Sequence, residues 1–134
     1  MTRIGSCFET LKTDNRKALV VFITAGDPDL ESTKSIFDVV ADSGADMIEL
    51  GVPFSDPLAD GPVIQASALR SLKSGTTLRK VIALVKKIRQ SRDLPIVLMT
   101  SLSILLSFAA LLLDFSNNNC FCNNLASRAA SFFT

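Results

Sequence analysis

The chain has 134 residues, 48% of them apolar, and a formal net charge of +1. This length allows one small domain with its own core, and the near-neutral charge argues against a general binder of nucleic acid or membrane surfaces. The sequence contains no His, which excludes His-based catalytic triads and His metal ligands. Charged residues at the N-terminus and three Cys without metal-site spacing predict a reduced, cytoplasmic protein without a metal.

The chain begins with a predicted helix and a predicted strand. Residues 3–12 can form a short helix. Ala18–Thr24 is a β-branched apolar run that is too short for a helix and ends at the turn sequence AGDPD, so it predicts strand 1. Leu30–Ser43 predicts a helix that is capped by Asp29 and closed by Gly44. We expect the apolar residues of this helix to lie along one face: Ile36, Val39 and Val40.

The pattern then repeats. Ala45–Gly51 predicts strand 2, and Val63–Leu72 can be helical up to a break at Lys73-Ser74-Gly75. A further helix, capped by Thr77, is predicted to about residue 90, and Leu94–Met99 predicts strand 3. The apolar residues of this last helix follow the i, i+3, i+4, i+7 spacing of one face: Val81, Leu84, Val85 and Ile88.

The order β-α-β-α-β, with nearly continuous apolar strands, predicts a parallel sheet covered by helices. Two folds fit this order. Three strands and their helices are less than half of a (β/α)₈ barrel, which needs roughly 250 residues. They also make a self-sufficient doubly wound sheet, and the pattern alone does not choose between the two.

The stretch IELGVPFSDPLADGP, Ile48–Pro62, places a Glu in an apolar strand ahead of a stiff acidic loop. Asp60 follows Glu49 after two prolines that restrict the loop. One interpretation is that Glu49 pairs with a Lys or Arg from a neighbouring strand, while Asp56 and Asp60 make turns. The other is that Glu49 and Asp60 face one ligand, at the strand end where sites form in parallel folds and where a carboxyl can act as a general acid and base.

The same stretch resembles the signature of the tryptophan synthase alpha chain family almost residue for residue. FITAGDPD at 22–29 and LPIVLMT at 94–100 resemble that family's first strand with its turn and its third strand. The resemblance covers about residues 3–100. It implies an α/β fold in which these residues form the first three βα units of a partial (β/α)₈ TIM barrel.

The resemblance also implies a function, namely the retro-aldol cleavage of indole-3-glycerol phosphate to indole and glyceraldehyde 3-phosphate in tryptophan biosynthesis. By this resemblance we expect Glu49 to be the acid/base, Asp60 to hydrogen-bond the indole N–H and stabilise the positive charge on the ring, and Phe22 to form an apolar wall of the indole pocket. Asp56 and Pro57 belong to the contact with the beta chain, the partner in an α₂β₂ complex. The alpha chain needs no cofactor, because the pyridoxal phosphate belongs to the beta chain.

The composition changes sharply near residue 100. Residues 1–100 hold 25 of the 27 charged residues and one Asn, whereas residues 101–134 hold two charged residues and five Asn. The family continues there with a Tyr of the substrate pocket, about where this chain has Ser101, and later with Gly-rich loops that bind phosphate. We therefore expect a tail over 101–134 that diverges through a frameshift and impairs the activity. The alternatives are a non-catalytic fragment that docks on the beta chain, and a small α/β domain with a new role.

Two further segments have simpler interpretations. Residues 94–113 are twenty uncharged residues, long enough to cross a bilayer, but strand 3 and Pro95 account for their start, so we favour a chain that does not insert. The basic stretch Arg70–Arg92 holds eight Lys/Arg and no acid, and we interpret it as a solvated helix face rather than a nucleic-acid site. Cys120 and Cys122 receive no role.

Overall fold

A computed structural model of the chain describes residues 2–56, 60–102 and 104–106. The chain divides into a unit of residues 1–100 and a unit of residues 101–134. In the second unit the amides of Ile104 and Leu105 donate to the Ser101 carbonyl at 3.1 and 3.3 Å, as in a helical turn. The rest of the tail, with Cys120 and Cys122, lies outside the described residues, and its origin stays a prediction.

The first unit contains a sheet of three parallel strands, Val20–Thr24 (β1), Met47–Gly51 (β2) and Ile96–Met99 (β3), in the order β1-β2-β3. Each strand ends at the residue that the sequence predicts and begins two residues later than predicted. The predicted parallel sheet is confirmed.

Four helices accompany the sheet: Arg3–Thr13 (α1), Leu30–Asp42 (α2), Pro62–Lys73 (α3) and Leu78–Ile88 (α4). Both predicted N-caps are confirmed, since the Asp29 carboxylate accepts from the Ser32 amide at 2.7 Å and the Thr77 hydroxyl accepts from the Lys80 amide at 3.4 Å. Apolar residues of α4 are buried at the predicted spacing: Val81, Leu84 and Ile88.

The buried side of α2 differs from the side that the apolar residues indicate. Ile36 and Val39 are 40% and 65% exposed, whereas Phe37 and Thr33 are fully buried. The Thr33 hydroxyl accepts from the Gly26 amide at 2.8 Å and donates to the Asp29 carbonyl at 2.8 Å. These two bonds orient α2 so that Thr33 and Phe37, one turn apart, face the interior.

The two faces of the sheet are in different surroundings. The face that carries Ile23, Ile48 and Leu50 is buried, and α2 and α3 pack on β1. On the other face Phe22 and Met99 are 39% and 47% exposed. We call this second face, with Phe22, Glu49, Val97 and Met99, the open face. The prediction of a sheet covered by helices therefore holds for one face at β1 and β2. On that same face Leu98 of β3 is 39% exposed, and apolar side chains of the open face are in contact with solvent.

Ion pairs lie where the strands begin. Arg16 binds the Asp46 carboxylate through both guanidinium nitrogens, just before β2. Arg92 binds both oxygens of Asp42, at 2.5 and 2.9 Å, and reaches Asp38 at 3.1 Å. These guanidinium groups hold the pKa of Asp46 and of Asp42 below the ordinary carboxyl value. The N-terminal edge of the sheet is thus held by charged pairs.

Among the described residues no helix is long and apolar enough to cross a membrane. Of the uncharged segment 94–113, residues 96–99 form β3, while residues 103 and 107–113 lie outside the described part. The described part of this segment therefore begins as a strand of the sheet.

The charged pairs predict how stability depends on pH. A carboxyl whose pKa is lower in the folded chain stabilises it above the ordinary pKa of 3.8, and this contribution is lost as the pH falls through the folded-state value. We expect the urea midpoint, followed by far-UV circular dichroism, to fall as the pH is lowered from about 5 to about 2. In Asp42→Asn the fall should be smaller.

The matched control is Glu9→Gln on α1, which removes an exposed carboxylate that has no ion pair among the described residues and lies outside the first turn of its helix. Its effect on the acid-induced fall should be smaller than that of Asp42→Asn. An equal fall in Asp42→Asn and in the wild type would contradict the role of the Arg92 pair.

Candidate functional site

Glu49 lies in the central strand, in register with Phe22 on β1 and Val97 on β3. Both neighbours are apolar, and the half-buried Glu49 carboxylate has no hydrogen bond or ion pair with any described residue. The interpretation in which Glu49 pairs with a Lys or Arg of a neighbouring strand is therefore wrong within the part of the chain that the structure describes. An unpaired carboxylate in a sheet is available to exchange protons with a ligand.

The Phe22 ring lies over Gly51, the last residue of β2. A Cβ placed on Gly51 would be 2.6 Å from the Phe22 Cζ atom, so only glycine leaves room for the ring. Alternate residues of a strand share a face, so Glu49 and Gly51 both lie on the open face of the sheet. The Phe22 ring, which lies over Gly51, is therefore on the same face as the Glu49 carboxylate. The structure thus places an apolar aromatic surface and a carboxylate together, which suits a flat ligand with a proton to exchange.

The acidic loop after β2 carries the remaining predicted residues. Asp56 and Asp60 are exposed, and the Asp60 carbonyl accepts from the Gln65 side-chain amide at 2.8 Å. Asp60 directly precedes Gly61, the N-cap of α3, so its carboxylate lies near the positive end of that helix. Pro57 lies outside the described residues. The roles of Asp56, Pro57 and Asp60 stay predictions.

The end of β1 is bonded to α3 through hydroxyl groups. Three consecutive residues of this segment each form a hydrogen bond, through a carbonyl or hydroxyl oxygen, with a serine of α3 or of its C-cap. The pairs are Thr24 with Ser67 (Oγ1 to Oγ, 2.8 Å), the Ala25 carbonyl with Ser71 (2.5 Å) and the Gly26 carbonyl with Ser74 (3.1 Å). The turn after β1 is therefore fastened along the helix.

The next residue of the turn completes this attachment with a charge. The Arg70 guanidinium donates to both carboxylate oxygens of Asp27, at 2.8 and 2.7 Å, and it lowers the pKa of that carboxyl. The helix residues involved follow the i, i+3, i+4, i+7 spacing of a single helix face. We call them the α3 stripe: Ser67, Arg70, Ser71 and Ser74.

The basic segment 70–92 is largely the solvated face that the sequence predicts. Six of its eight basic residues are exposed: Arg70, Lys73, Arg79, Lys80, Lys86 and Lys87. Arg70 also binds Asp27, and other basic side chains of the segment form hydrogen bonds within the chain. These are Lys80 with the Gly75 carbonyl, Arg89 with the Leu94 carbonyl, and Arg92 with Asp38 and Asp42. The signal that could have found the stripe is polar residues at the spacing where a helix usually places apolar ones.

Gly26 lets the turn approach the helix this closely. Its φ is +82°, and a Cβ there would be 1.9 Å from the Thr76 Oγ1 and 2.5 Å from the Ser71 Oγ. No other residue type fits both the conformation and the space. The turn after β1 is thus packed at van der Waals contact against the helix pair α3 and α4.

The described residues contain no group of three or more His, Cys, Asp or Glu side chains that could hold a metal ion. Cys7, a half-buried free cysteine, lies within 3.5 Å of the Asp46 carbonyl, before β2 begins, and not on the open face.

The sequence model of the tryptophan synthase alpha chain matches residues 8–119. The chain belongs to this family. The match continues 19 residues beyond residue 100, where the composition changes, so part of the predicted tail still matches the family.

Relatives within the family agree on the matched part. The tryptophan synthase alpha chain of Geotalea uraniireducens is 58% identical over 99 residues, which are 74% of this chain and 37% of that protein. The alpha chain of Solibacter usitatus is 50% identical over 108 residues, 81% of this chain and 40% of that protein. The chain therefore spans about two fifths of the length of the curated relatives that it matches.

A solved structure settles the choice of fold. The tryptophan synthase subunit alpha of Legionella pneumophila superimposes with a TM-score of 0.79 at 40% identity, covering 81% of this chain and 42% of that chain. The three parallel strands and their helices are the first three βα units of a (β/α)₈ TIM barrel, as predicted, and not a doubly wound sheet. The open face corresponds to the barrel interior, and the loops after the strands lie at the end where TIM barrels place their sites.

The close packing at Gly26 yields a test of this geometry. We expect Gly26→Ala to destabilise the chain through both the positive φ and the overlap with Thr76 and Ser71, at roughly 2–4 kcal/mol in urea unfolding. Gly44→Ala is the matched control, because Gly44 has φ +96° but nothing within 4 Å of its Cβ. It should cost only about 1 kcal/mol. Equal losses in the two variants would contradict the packing of the turn against α3.

Proposed function

We propose that the chain acts as the alpha subunit of tryptophan synthase in tryptophan biosynthesis, a lyase that cleaves indole-3-glycerol phosphate to indole and glyceraldehyde 3-phosphate. The observation that carries the proposal is the unpaired Glu49 carboxylate beside Phe22 on the open face, in a chain of this family. A flat indole ring fits against Phe22 with a proton-transferring group within reach.

The chemistry requires one group that both gives and takes a proton. Glu49 in its acid form protonates the indole ring carbon that bears the glycerol side chain, and the positive charge that appears at the ring nitrogen is stabilised by Asp60. The Glu49 carboxylate then takes the proton from the glycerol hydroxyl next to the ring. The carbon–carbon bond breaks, its electrons return to the ring, and a carbonyl forms on glyceraldehyde 3-phosphate. Glu49 ends protonated as it began, so no cofactor is consumed on this chain.

Substrate affinity is expected to limit turnover by the 134 residues. In the family the substrate phosphate binds to Gly-rich loops after strands 7 and 8, whereas the described residues form three strands. Binding energy from a remote phosphate helps to hold the reacting groups in place. We therefore propose that this polypeptide has impaired activity while it retains the two carboxylates of the reaction.

The beta chain is the proposed partner, in a cytoplasmic α₂β₂ complex whose pyridoxal phosphate belongs to that partner. Asp56 and Pro57 are the proposed contact residues, and the exposure of Asp56 supports this role. The alternative function, a non-catalytic fragment that docks on the beta chain, uses the same loop. The two functions therefore differ in turnover and share the contact.

We also propose that residues 101–134 are a divergent tail that follows a barrel-forming part of residues 1–100. The change in charge and Asn content near residue 100 supports this division, while the family match to residue 119 limits how much of the tail is foreign. Sequencing the gene again across codon 100 and translating all three frames tests the proposed frameshift.

Indole release from indole-3-glycerol phosphate tests the catalytic proposal. We expect Glu49→Gln to lower the rate by roughly a hundredfold or more, because general acid–base catalysis contributes on that scale. Glu31→Gln on α2, away from the open face, should release indole at the wild-type rate. Equal rates for Glu49→Gln and the wild type would contradict the role of Glu49.

If the wild-type polypeptide releases no indole, the catalytic proposal fails for this chain. The docking alternative then predicts that adding the chain to purified beta chain changes the activity or the electrophoretic mobility of the beta chain. An unchanged beta chain would exclude docking as well.

A further inference from the structure

The α3 stripe links the loop after β2 to the end of β1. Helix α3 starts two residues after Asp60, and its stripe holds the four consecutive residues 24–27 at the end of β1. The helix therefore connects the loop that carries Asp60 to the strand whose Phe22 is in register with Glu49. The position of α3 therefore determines where Asp60 lies relative to Glu49 and Phe22.

We propose that Arg70 is a positioning residue, which holds Asp27 and thereby fixes α3 so that Asp60 stays in place relative to Glu49 and Phe22. This inference rests on the proposed function for the meaning of that placement, since neither Arg70 nor Asp27 is assigned a contact with substrate. That Arg70 orders the start of α3 is inferred from the hydrogen bonds between α3 and residues 24–27, without reference to the proposed function.

The helix is a short, stiff spacer. Its twelve residues span about 18 Å, and its hydrogen bonds to residues 24–27 all lie on one face. With one face attached along two turns, the helix cannot rotate about its axis or slide without breaking several bonds together. The residue at its N-terminus is therefore placed by the bonds near its C-terminus.

Arg70 makes the strongest of these bonds. Its pair with Asp27 is bidentate and charge-assisted, which makes each bond roughly twice as strong as the neutral bonds of the three serine hydroxyls. The Asp27 side chain is 17% exposed and the Arg70 side chain 57% exposed, so the pair is shielded from water on the carboxylate side and solvated on the guanidinium side. Loss of Arg70 should thus loosen the attachment, while the serine bonds keep the helix folded.

The chain offers a matched control at the other edge of the sheet. Arg92 also binds an aspartate through two nitrogens and also joins separate elements, but Asp42 lies where the strands begin. A purely stabilising role would make Arg70→Gln and Arg92→Gln similar. A positioning role makes them differ at the start of α3.

The first test is amide hydrogen exchange on the full 134-residue chain. We expect Arg70→Gln to speed exchange selectively at 24–27 and at 65–67, the first hydrogen-bonded amides of α3, by roughly tenfold or more. Arg70→Lys, which keeps the charge and loses the second bond, should give an intermediate increase. Arg92→Gln should leave residues 65–67 at the wild-type rate.

The proposal is overturned if exchange at 65–67 in Arg70→Gln equals the wild-type rate, or if Arg92→Gln raises it as much. Should Arg70→Gln fail to fold, Arg70→Lys is judged by the same criterion. In the double substitution Asp27→Arg with Arg70→Asp, recovery of wild-type protection at 65–67 supports the pairing, and its absence contradicts it.

The second test measures indole binding through the fluorescence of indole itself, which the chain does not obscure because it has no Trp or Tyr. We expect Arg70→Gln to weaken indole binding roughly tenfold without a matching loss of urea midpoint, and Arg92→Gln to lower the midpoint without weakening binding. Unchanged binding in Arg70→Gln would overturn the positioning role. If the wild-type chain does not bind indole, the proposed function fails, and the exchange test alone decides the role of Arg70.

Discussion

Parallel pairing of β1, β2 and β3 is the constraint on which the rest of the structure depends. Because the strands run in one direction and in register, Phe22, Glu49 and Val97 form one row, and the loops after the strands leave from one edge. The row gives the carboxylate two apolar neighbours and therefore no partner from the sheet. What is unusual in a strand, an unpaired Glu, follows directly from the register.

The two edges of the sheet are stabilised differently. Where the strands begin, Asp46 is bound by Arg16 and Asp42 by Arg92, and these pairs tie the connections to the sheet. Where the strands end, residues 24–27 are fastened to α3 by hydroxyl groups and one ion pair. This division agrees with the general behaviour of TIM barrels, in which one end contributes stability and the other carries the site.

Much of this arrangement could be predicted from the sequence. The strands end as predicted because turn residues follow them directly, and the caps Asp29 and Thr77 are local signals that need no tertiary information. The strand starts were misplaced by two residues. At β2 the reason is visible, since Asp46 bonds through its amide and its carboxylate to Leu19 and Arg16 rather than joining the ladder.

The features that the sequence did not predict depend on distant partners. Arg70 and Asp27 are 43 residues apart, so nothing local distinguishes Arg70 from the solvated basic residues around it. The buried side of α2 was misjudged for the same reason, because the hydroxyl of Thr33 is needed by the Gly26 amide. A polar helix residue that hydrogen-bonds to a distant turn has the same sequence pattern as a solvent-exposed residue. The two can be distinguished only when the position of the turn is known.

The most direct test of the central claim, that Glu49 transfers a proton at the indole ring carbon, needs neither the phosphate nor the beta chain. Deuterium incorporation at that ring carbon of indole can be followed by NMR in D₂O with the wild-type chain and with Glu49→Gln. We expect the wild-type chain to accelerate the exchange over buffer and Glu49→Gln to leave it at the buffer rate. Acceleration that persists in Glu49→Gln, or none with the wild-type chain, would contradict it.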